Sequence, residues 1–129
     1  MTEETPARPP VSLVAAAVLV GCEGAFLVVL AVLEVVATTA ARATLALTTG
    51  LFFAVVGAGL AFCAVGLLRA RSWARGPVVA IELIGLLLSF SFWGGATTLG
   101  AIVILLVCLA ALVGVLHPAS TRALAADES

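Results

Sequence analysis

The chain has 129 residues, of which 64% are hydrophobic and 10% are charged. A soluble domain of this length needs far more charge on its surface, so the composition excludes that class and predicts a polytopic membrane protein. The formal net charge is −1, which gives no reason to expect a nucleic-acid partner.

Four apolar runs are each long enough to cross a hydrocarbon core of about 30 Å as a helix. The runs are continuous and lack the alternation of barrel strands, so they predict an all-α membrane protein. Short connections favour antiparallel neighbours, which gives an up-down-up-down bundle of four transmembrane helices in residues 11–118. The expected spans are about 11–36, 45–68, 77–93 and 99–116.

Both ends of the chain are expected to be cytoplasmic tails. Residues 1–10 contain three prolines and two glutamates and are expected to be disordered. The first apolar run is too long for a signal-peptide core and contains Glu23, so we expect it to be retained as a span. The second tail comprises residues 119–129.

The arginines predict the orientation of the chain. The second loop contains Arg69, Arg71 and Arg75. The first loop contains only Arg42, and the third contains no arginine. The positive-inside rule therefore places the second loop and both termini in the cytoplasm, in a multi-pass protein of the plasma (inner) membrane. The three loop arginines, with Trp73, are expected to contact anionic headgroups of the lipid bilayer.

Two carboxylates lie inside the first span, Glu23 near its middle and Glu34 near its far end. Their separation is close to three helical turns, so both lie on one helix face. An ionisable side chain at bilayer depth costs at least ~2.5 kcal/mol, so this face is expected to point toward protein or water. One interpretation is a proton or cation relay or a binding site for a cationic substrate. The other makes Glu34 an interfacial residue that Arg42 neutralises.

The third span has a face of polar or small residues at helical spacing, formed by Glu82, Gly85, Ser89 and Trp93. Such a face either packs against neighbouring helices or lines a cavity. Counted from the cytoplasmic start of each span, Glu82 is expected about 7 Å deep and Glu23 about 18 Å deep. The acids are therefore expected at different depths, with Glu82 either part of the same relay or binding site or paired to an arginine of the cytoplasmic loop.

No residue pattern points to an enzyme, a cofactor or a metal. Cys22, Cys63 and Cys108 all fall within apolar runs, where uncharged thiols usually serve as packing residues. Their odd number and scattered spacing match no disulfide or metal-ligand pattern. The sequence also lacks a phosphate-binding loop and a nucleophile elbow. His117, directly before Pro118, is expected to cap the carbonyls that end the fourth span.

Small residues recur at a spacing of four on the first two spans, and such stripes allow helices to approach closely in lipid. In the first span this stripe is roughly opposite the glutamates. Because one chain is not expected to cover both faces, the pattern predicts a homo-oligomer or a partner membrane protein. The residues are Ala17, Gly21 and Ala25 in the first span and Gly50, Ala54 and Ala58 in the second.

Two segments resemble a group of small actinobacterial integral membrane proteins. The first is Gly66–Val79, with the sequence GLLRARSWARGPVV, followed by a helix whose one polar residue is Glu82. The second is Val115–Leu124, with the sequence VLHPASTRAL. The resemblance implies a four-helix fold and a membrane location, and it assigns no activity.

The chain also resembles the small multidrug resistance transporters in its length, its four helices and a glutamate inside the first helix, which Glu23 matches. This resemblance implies proton-coupled transport with Glu23 as the exchanging carboxylate. Those transporters carry aromatic residues, including Tyr, around their binding site, whereas this chain has no Tyr.

Two functions therefore remain open. We expect first a non-enzymatic accessory or interaction subunit that packs through its small-residue faces, and as the alternative a small proton-coupled transporter that uses Glu23. An accessory subunit should tolerate Glu23→Gln, because hydrogen bonding survives that change. A coupled transporter should lose activity, because the proton-accepting charge is gone.

Overall fold

The computed structural model describes residues 8–127, which form helices and short connections without a strand. Most of the tail predicted at 1–10, and the last two residues of the chain, lie outside the described residues. Short 3₁₀ turns precede α2, α3 and α4 at Ala40–Arg42, Ser72–Ala74 and Gly95–Thr97. The α-helices are α1 Val11–Val36, α2 Ala43–Leu68, α3 Arg75–Ser91, α4 Thr98–Leu116 and α5 Pro118–Ala126.

Helices α1 to α4 are long and apolar enough to cross a membrane, which confirms the predicted all-α class and four candidate spans. Their bounds lie within two residues of the predicted spans. Large apolar side chains cover the outside of the bundle, and Phe26, Leu51 and Leu87 are each mostly exposed. An apolar surface this extensive suits contact with lipid.

Helices α1 and α2 pack directly against each other through glycines. A Cβ atom added at Gly24 would lie 2.6 Å from the carbonyl oxygen of Gly57, and one added at Gly57 would lie 2.7 Å from that of Gly24. Only residues without a side chain allow backbones this close, and such approach holds helices together in lipid. Gly21 meets Ala64 one turn away, so the numbering rises along α1 as it falls along α2.

The observed contact face differs from the predicted small-residue stripe. Ala17 is buried and Gly21 touches α2, but Ala25 is exposed and the closest contact falls at Gly24. On α2, Gly57 makes the contact with α1, and Ala58 next to it is exposed. Steps of three and of four residues both stay on one helix face, so the spacing alone did not determine which small residues meet.

Helix α4 lies against α1, and α3 lies against α4. A Cβ atom added at Gly114 would lie 2.9 Å from the Cβ atom of Ala16, which marks the close contact of α4 with α1. Helices α2 and α3 are consecutive, yet they touch far less than α1 and α2 do. Helix α3 therefore joins the bundle mainly through α4.

The buried apolar core occupies the half of the bundle next to the α2–α3 loop, here called the arginine end because the loop carries Arg69 and Arg71. The core draws on all five helices and on the 3₁₀ turn before α3. Its members are Leu13, Ala16, Ala17, Val20, Leu60, Cys63, Ala64, Leu67, Ala74, Val78, Ala111, Val115 and Leu124.

Helix α2 ends in a tight turn. Ala70 has a φ of 54°, in the left-handed region, which costs a residue other than glycine roughly 1–2 kcal/mol. The N–H of Arg71 donates to the carbonyl oxygen of Gly66 at 2.9 Å, and that of Ala70 to Leu67 at 2.9 Å. This bonding satisfies the last carbonyls of α2 in the manner of a Schellman motif.

The predicted tail at 119–129 contains a helix, α5, that the sequence analysis missed. Its start is set by Pro118, which favours an extended residue before it and is well suited to the first helical position. The Nδ1 atom of His117 accepts a hydrogen bond from the N–H of Ala119 at 3.1 Å. The prediction that His117 caps carbonyls of the fourth span is therefore wrong, because its side chain caps the amides of the next helix.

Candidate functional site

Three polar side chains from three different helices meet between α1, α3 and α4. They are Glu23 of α1, Glu82 of α3 and Cys108 of α4, whose carboxylate oxygens and sulfur lie within 4.8 Å of one another. We call them the Glu–Glu–Cys cluster. Each is about one helical turn from a core residue of its own helix. The cluster therefore adjoins the apolar core.

Glu82 is the most deeply buried charged side chain among the described residues, with 1% of its surface exposed. Within residues 8–127, no group outside the cluster donates a hydrogen bond to either carboxylate oxygen of Glu82 or to Oε1 of Glu23. A buried polar group without a partner costs about 1–3 kcal/mol, and more when it is charged. Such groups are rare in native proteins, and a catalytic role or a bound water or ion is among the explanations for them.

Gly85 shapes the cluster from the side of α3. A Cβ atom at this position would lie 2.6 Å from Sγ of Cys108. The missing side chain therefore lets the sulfur lie against α3, one turn from Glu82. Ser89 lies a further turn along the same face and is buried, but its Oγ donates to the carbonyl oxygen of Leu86 at 2.6 Å. Ser89 is thus satisfied within its own helix and takes no part in the cluster.

The expectation that Glu23 and Glu82 lie at different depths is wrong. About 18 Å of helix precede Glu23 and about 10 Å precede Glu82, yet the two side chains meet. The reach of two glutamate side chains, together with helix tilt and helix ends that are not level, closes a difference of this size. Counting from the start of each span assumed that the helix ends were level.

The predicted partner of Glu82 also differs from the observed one. No arginine forms an ion pair with Glu82 in the described part of the chain, and its neighbours are Glu23 and Cys108. Glu34 is partly buried and lies outside the cluster. Trp93 follows the end of α3 and is exposed, so the polar face predicted for the third span reaches only from Glu82 to Ser89.

Cys108 is the residue that sequence reasoning missed. It was predicted to be a packing residue, like Cys63, which does lie in the apolar core. Cys22, by contrast, is exposed. Nothing in the α4 sequence marks Cys108, because its carboxylate neighbours come from helices distant in the chain. Only the order in which the helices pack brings them together.

The loop residues Arg69, Arg71 and Trp73 lie at the arginine end. The ring of Trp73 stacks on Phe62, with centroids 5.1 Å apart. These residues line a cavity of about 210 Å³ together with Gly66 and Val65. Arg75 begins α3 and is partly buried. The predicted contact of the loop with lipid headgroups remains a prediction.

Asp127, at the end of α5, binds the same loop. Its Oδ2 accepts hydrogen bonds from the backbone N–H of Ser72 at 3.0 Å and from the Ser72 hydroxyl at 3.1 Å. Its Oδ1 lies 3.6 Å from Nη1 of Arg71. The Ser72 N–H, together with these neighbours, holds the pKa of the Asp127 carboxyl below its ordinary value. The contact fastens α5 to the start of the 3₁₀ turn before α3.

The fold and the cluster together define a small helical protein with four helices suited to a membrane and a pair of buried carboxylates between them. No protein-family model, curated protein or solved structure matches the chain. The geometry of the cluster is therefore the basis for inferring the function.

Proposed function

We propose that this chain is a small membrane transport protein that binds and releases cations, protons included, at the Glu23–Glu82 pair. The observation that carries the proposal is the buried carboxylate of Glu82, which accepts no hydrogen bond from outside the cluster in the described residues and lies beside a second carboxylate. This is the alternative function of the sequence analysis, now with two acids in place of one.

Electrostatics favours a cation at this pair. Two unit negative charges at 4.8 Å, the upper limit of the ligand-atom distances in the cluster, repel by about 3–4 kcal/mol at an effective dielectric constant of 20. Desolvation adds several kcal/mol for each buried ion. A proton or metal cation relieves both terms, whereas an apolar side chain would serve better if the position were needed only for packing.

We place the protein in the plasma (inner) membrane, as an up-down-up-down bundle with both termini and the arginine end in the cytoplasm. The support is the arginine bias of the α2–α3 loop. The opposite directions of α1 and α2 agree with this topology. Membership in the actinobacterial group remains a proposal that depends on the Gly66–Val79 and Val115–Leu124 segments. No enzymatic activity is part of the proposal.

The test uses purified protein in liposomes that contain a pH-sensitive dye. Sodium, potassium, magnesium or zinc is added outside, and the internal pH is followed. At least one cation should change the internal pH with wild-type protein, and this response should be lost in Glu23→Gln and Glu82→Gln. Glu34→Gln is the matched control, since it removes the same charge from α1 outside the cluster. Equal responses in all four proteins would contradict the proposal.

A non-enzymatic accessory subunit is the second candidate function. A groove of about 410 Å³ lies between the end of α1 and the first half of α2. It favours the accessory function, because it is apolar and open to the side of the bundle. Such a groove suits a helix of a second copy or of a partner membrane protein. Under this hypothesis Glu23→Gln and Glu82→Gln leave assembly and any associated activity intact. The groove is lined by Ala31, Val32, Val35, Val36, Leu47, Gly50, Leu51 and Ala54.

A further inference from the structure

We propose that Glu23, Glu82 and Cys108 form a binding site for a thiophilic divalent metal ion of the Zn²⁺ class. This inference depends on the proposed function, because it names the cation that the carboxylate pair takes. The site takes one ligand from each of three helices. Its sulfur ligand, Cys108, has no part in the carboxylate pair of the proposed function.

The donor atoms favour this class of ion over others. Carboxylates alone suit Mg²⁺, Ca²⁺ or Mn²⁺, whereas a thiolate sulfur selects softer ions such as Zn²⁺. Glu82 and Glu23 supply oxygens that accept no hydrogen bond from outside the cluster within residues 8–127, and Cys108 places its sulfur beside them. When the metal binds, the Cys108 thiol releases its proton to water, and a divalent ion offsets two of the three negative charges then present, which a monovalent ion cannot do.

The distances suit a metal centre after a small closure. Ligand atoms around tetrahedral Zn²⁺ lie about 3.3–3.8 Å apart, given bonds of about 2.0–2.3 Å. The cluster atoms lie within 4.8 Å of one another. Side-chain rotations that move these atoms by about 1 Å therefore bring them to metal-binding distances. Gly85 keeps the sulfur close to α3, since any larger residue would press on Sγ of Cys108.

The number of protein ligands suits an ion that is exchanged. Structural zinc sites have four protein ligands and are closed, whereas sites with three protein ligands keep one position open. The cluster offers three side chains among the described residues. An open position lets water or an entering group replace a ligand, which is what a transported ion needs in order to leave.

The test is metal binding to the purified full-length protein in nanodiscs, with Cd²⁺ as an optical probe and Zn²⁺ as the competitor. Cd²⁺ bound to a thiolate produces an ultraviolet charge-transfer band. We expect one equivalent of Cd²⁺ to produce this band in the wild type and Zn²⁺ to abolish it. In Cys108→Ser the band should disappear, and Zn²⁺ affinity should fall by more than about 100-fold, because even outer-shell partners are worth 10–100-fold.

Two controls distinguish metal binding at the cluster from binding by another thiol, and a lost ligand from a misfolded protein. Cys22→Ser removes the exposed thiol next to Glu23 in sequence and should leave the band unchanged. Glu82→Gln keeps the size of the side chain, so it should weaken Zn²⁺ binding by a similar factor while helical content and thermal unfolding show a folded protein.

The outcomes distinguish this inference from the proposed function. A wild-type chain that fails to bind Cd²⁺ or Zn²⁺, or a Cys108→Ser variant that binds as tightly as wild type, overturns the metal site. If cation-dependent pH changes in liposomes still require Glu23 and Glu82, the proposed function stands without it. If those changes are also absent, both fail. A band that requires Cys108 and Glu82 but not Cys22 supports the site.

Discussion

At the scale of single residues, the two glycines Gly24 and Gly57 determine how closely α1 and α2 approach. A side chain at either position would meet backbone atoms of the other helix, which cannot rotate away as the end of a flexible side chain can. The sequence indicated that small residues make this contact. It did not indicate Gly24, because the choice among small residues one step apart depends on how the helices cross.

We expect Gly24→Ala to lower the free energy of unfolding by about 1–3 kcal/mol, because the added methyl group forces the two backbones apart. The measurement is a reversible unfolding titration with SDS in mixed micelles, followed by circular dichroism. Gly59→Ala is the matched control on α2, since an added Cβ there meets nothing within 4 Å. Equal free energies of unfolding for the two variants would show that the close contact at Gly24 does not contribute to stability.

At the scale of elements, α5 is held at both ends. Near its start, Oγ of Ser120 donates to the carbonyl oxygen of Gly114 at 2.6 Å and lies 2.7 Å from Oγ of Ser12. At its end, Asp127 binds Ser72 and Arg71. The sequence predicts this stretch to be a cytoplasmic tail. Pro118 as a first helical residue was the signal that could have indicated a helix.

We expect Asp127→Asn to release the end of α5, measured as lower hydrogen-exchange protection factors for the α5 amides. The pKa of Asp127 is lowered from 3.8 in the folded protein, so the contact contributes fully above that value. The contribution is lost as the pH falls through the lower pKa of the folded state. Wild-type protection should therefore approach that of Asp127→Asn only in strong acid.

Arg122→Gln is the control for this prediction, because the Nε of Arg122 donates to Pro118 within α5 itself. It changes the charge of the same helix by one unit and should leave the protection of the α5 end unchanged. Identical protection in wild type and Asp127→Asn at neutral pH would contradict the role of the carboxylate.

At the scale of the whole molecule, the number of helices could be predicted but their neighbours could not. Length and hydropathy are local properties, so four helices follow directly from the sequence. Which helices touch is a property of packing: α3 reaches α1 through α4 and touches its predecessor α2 little. The meeting of Glu23 with Glu82 depends on that arrangement, and single-helix periodicity contains no information about it.

We expect the arginine loop to determine the orientation of the whole bundle. Replacing Arg69, Arg71 and Arg75 by Gln, together with Ala41→Arg and Ala96→Arg, should move both termini to the opposite side in a large fraction of molecules. Reporter fusions at each end measure this change. Arg42→Gln is the control, because it strengthens the original bias and should leave the orientation unaltered. Unchanged reporters in the fivefold variant would contradict the proposed topology.

The contact between α1 and α2 has a consequence for the timing of assembly. Chains are made from the N-terminus, so these two helices can pair before α3 and α4 have been synthesised. Glu23 then enters the bilayer without Glu82 or Cys108, at a cost of roughly 2.5–3.5 kcal/mol. The hairpin therefore carries this cost until α3 and α4 pack over the Glu23 carboxyl group. A chain that stops after α2 would pair its two helices but lack Glu82 and Cys108, so the last two helices are the step that completes the cluster.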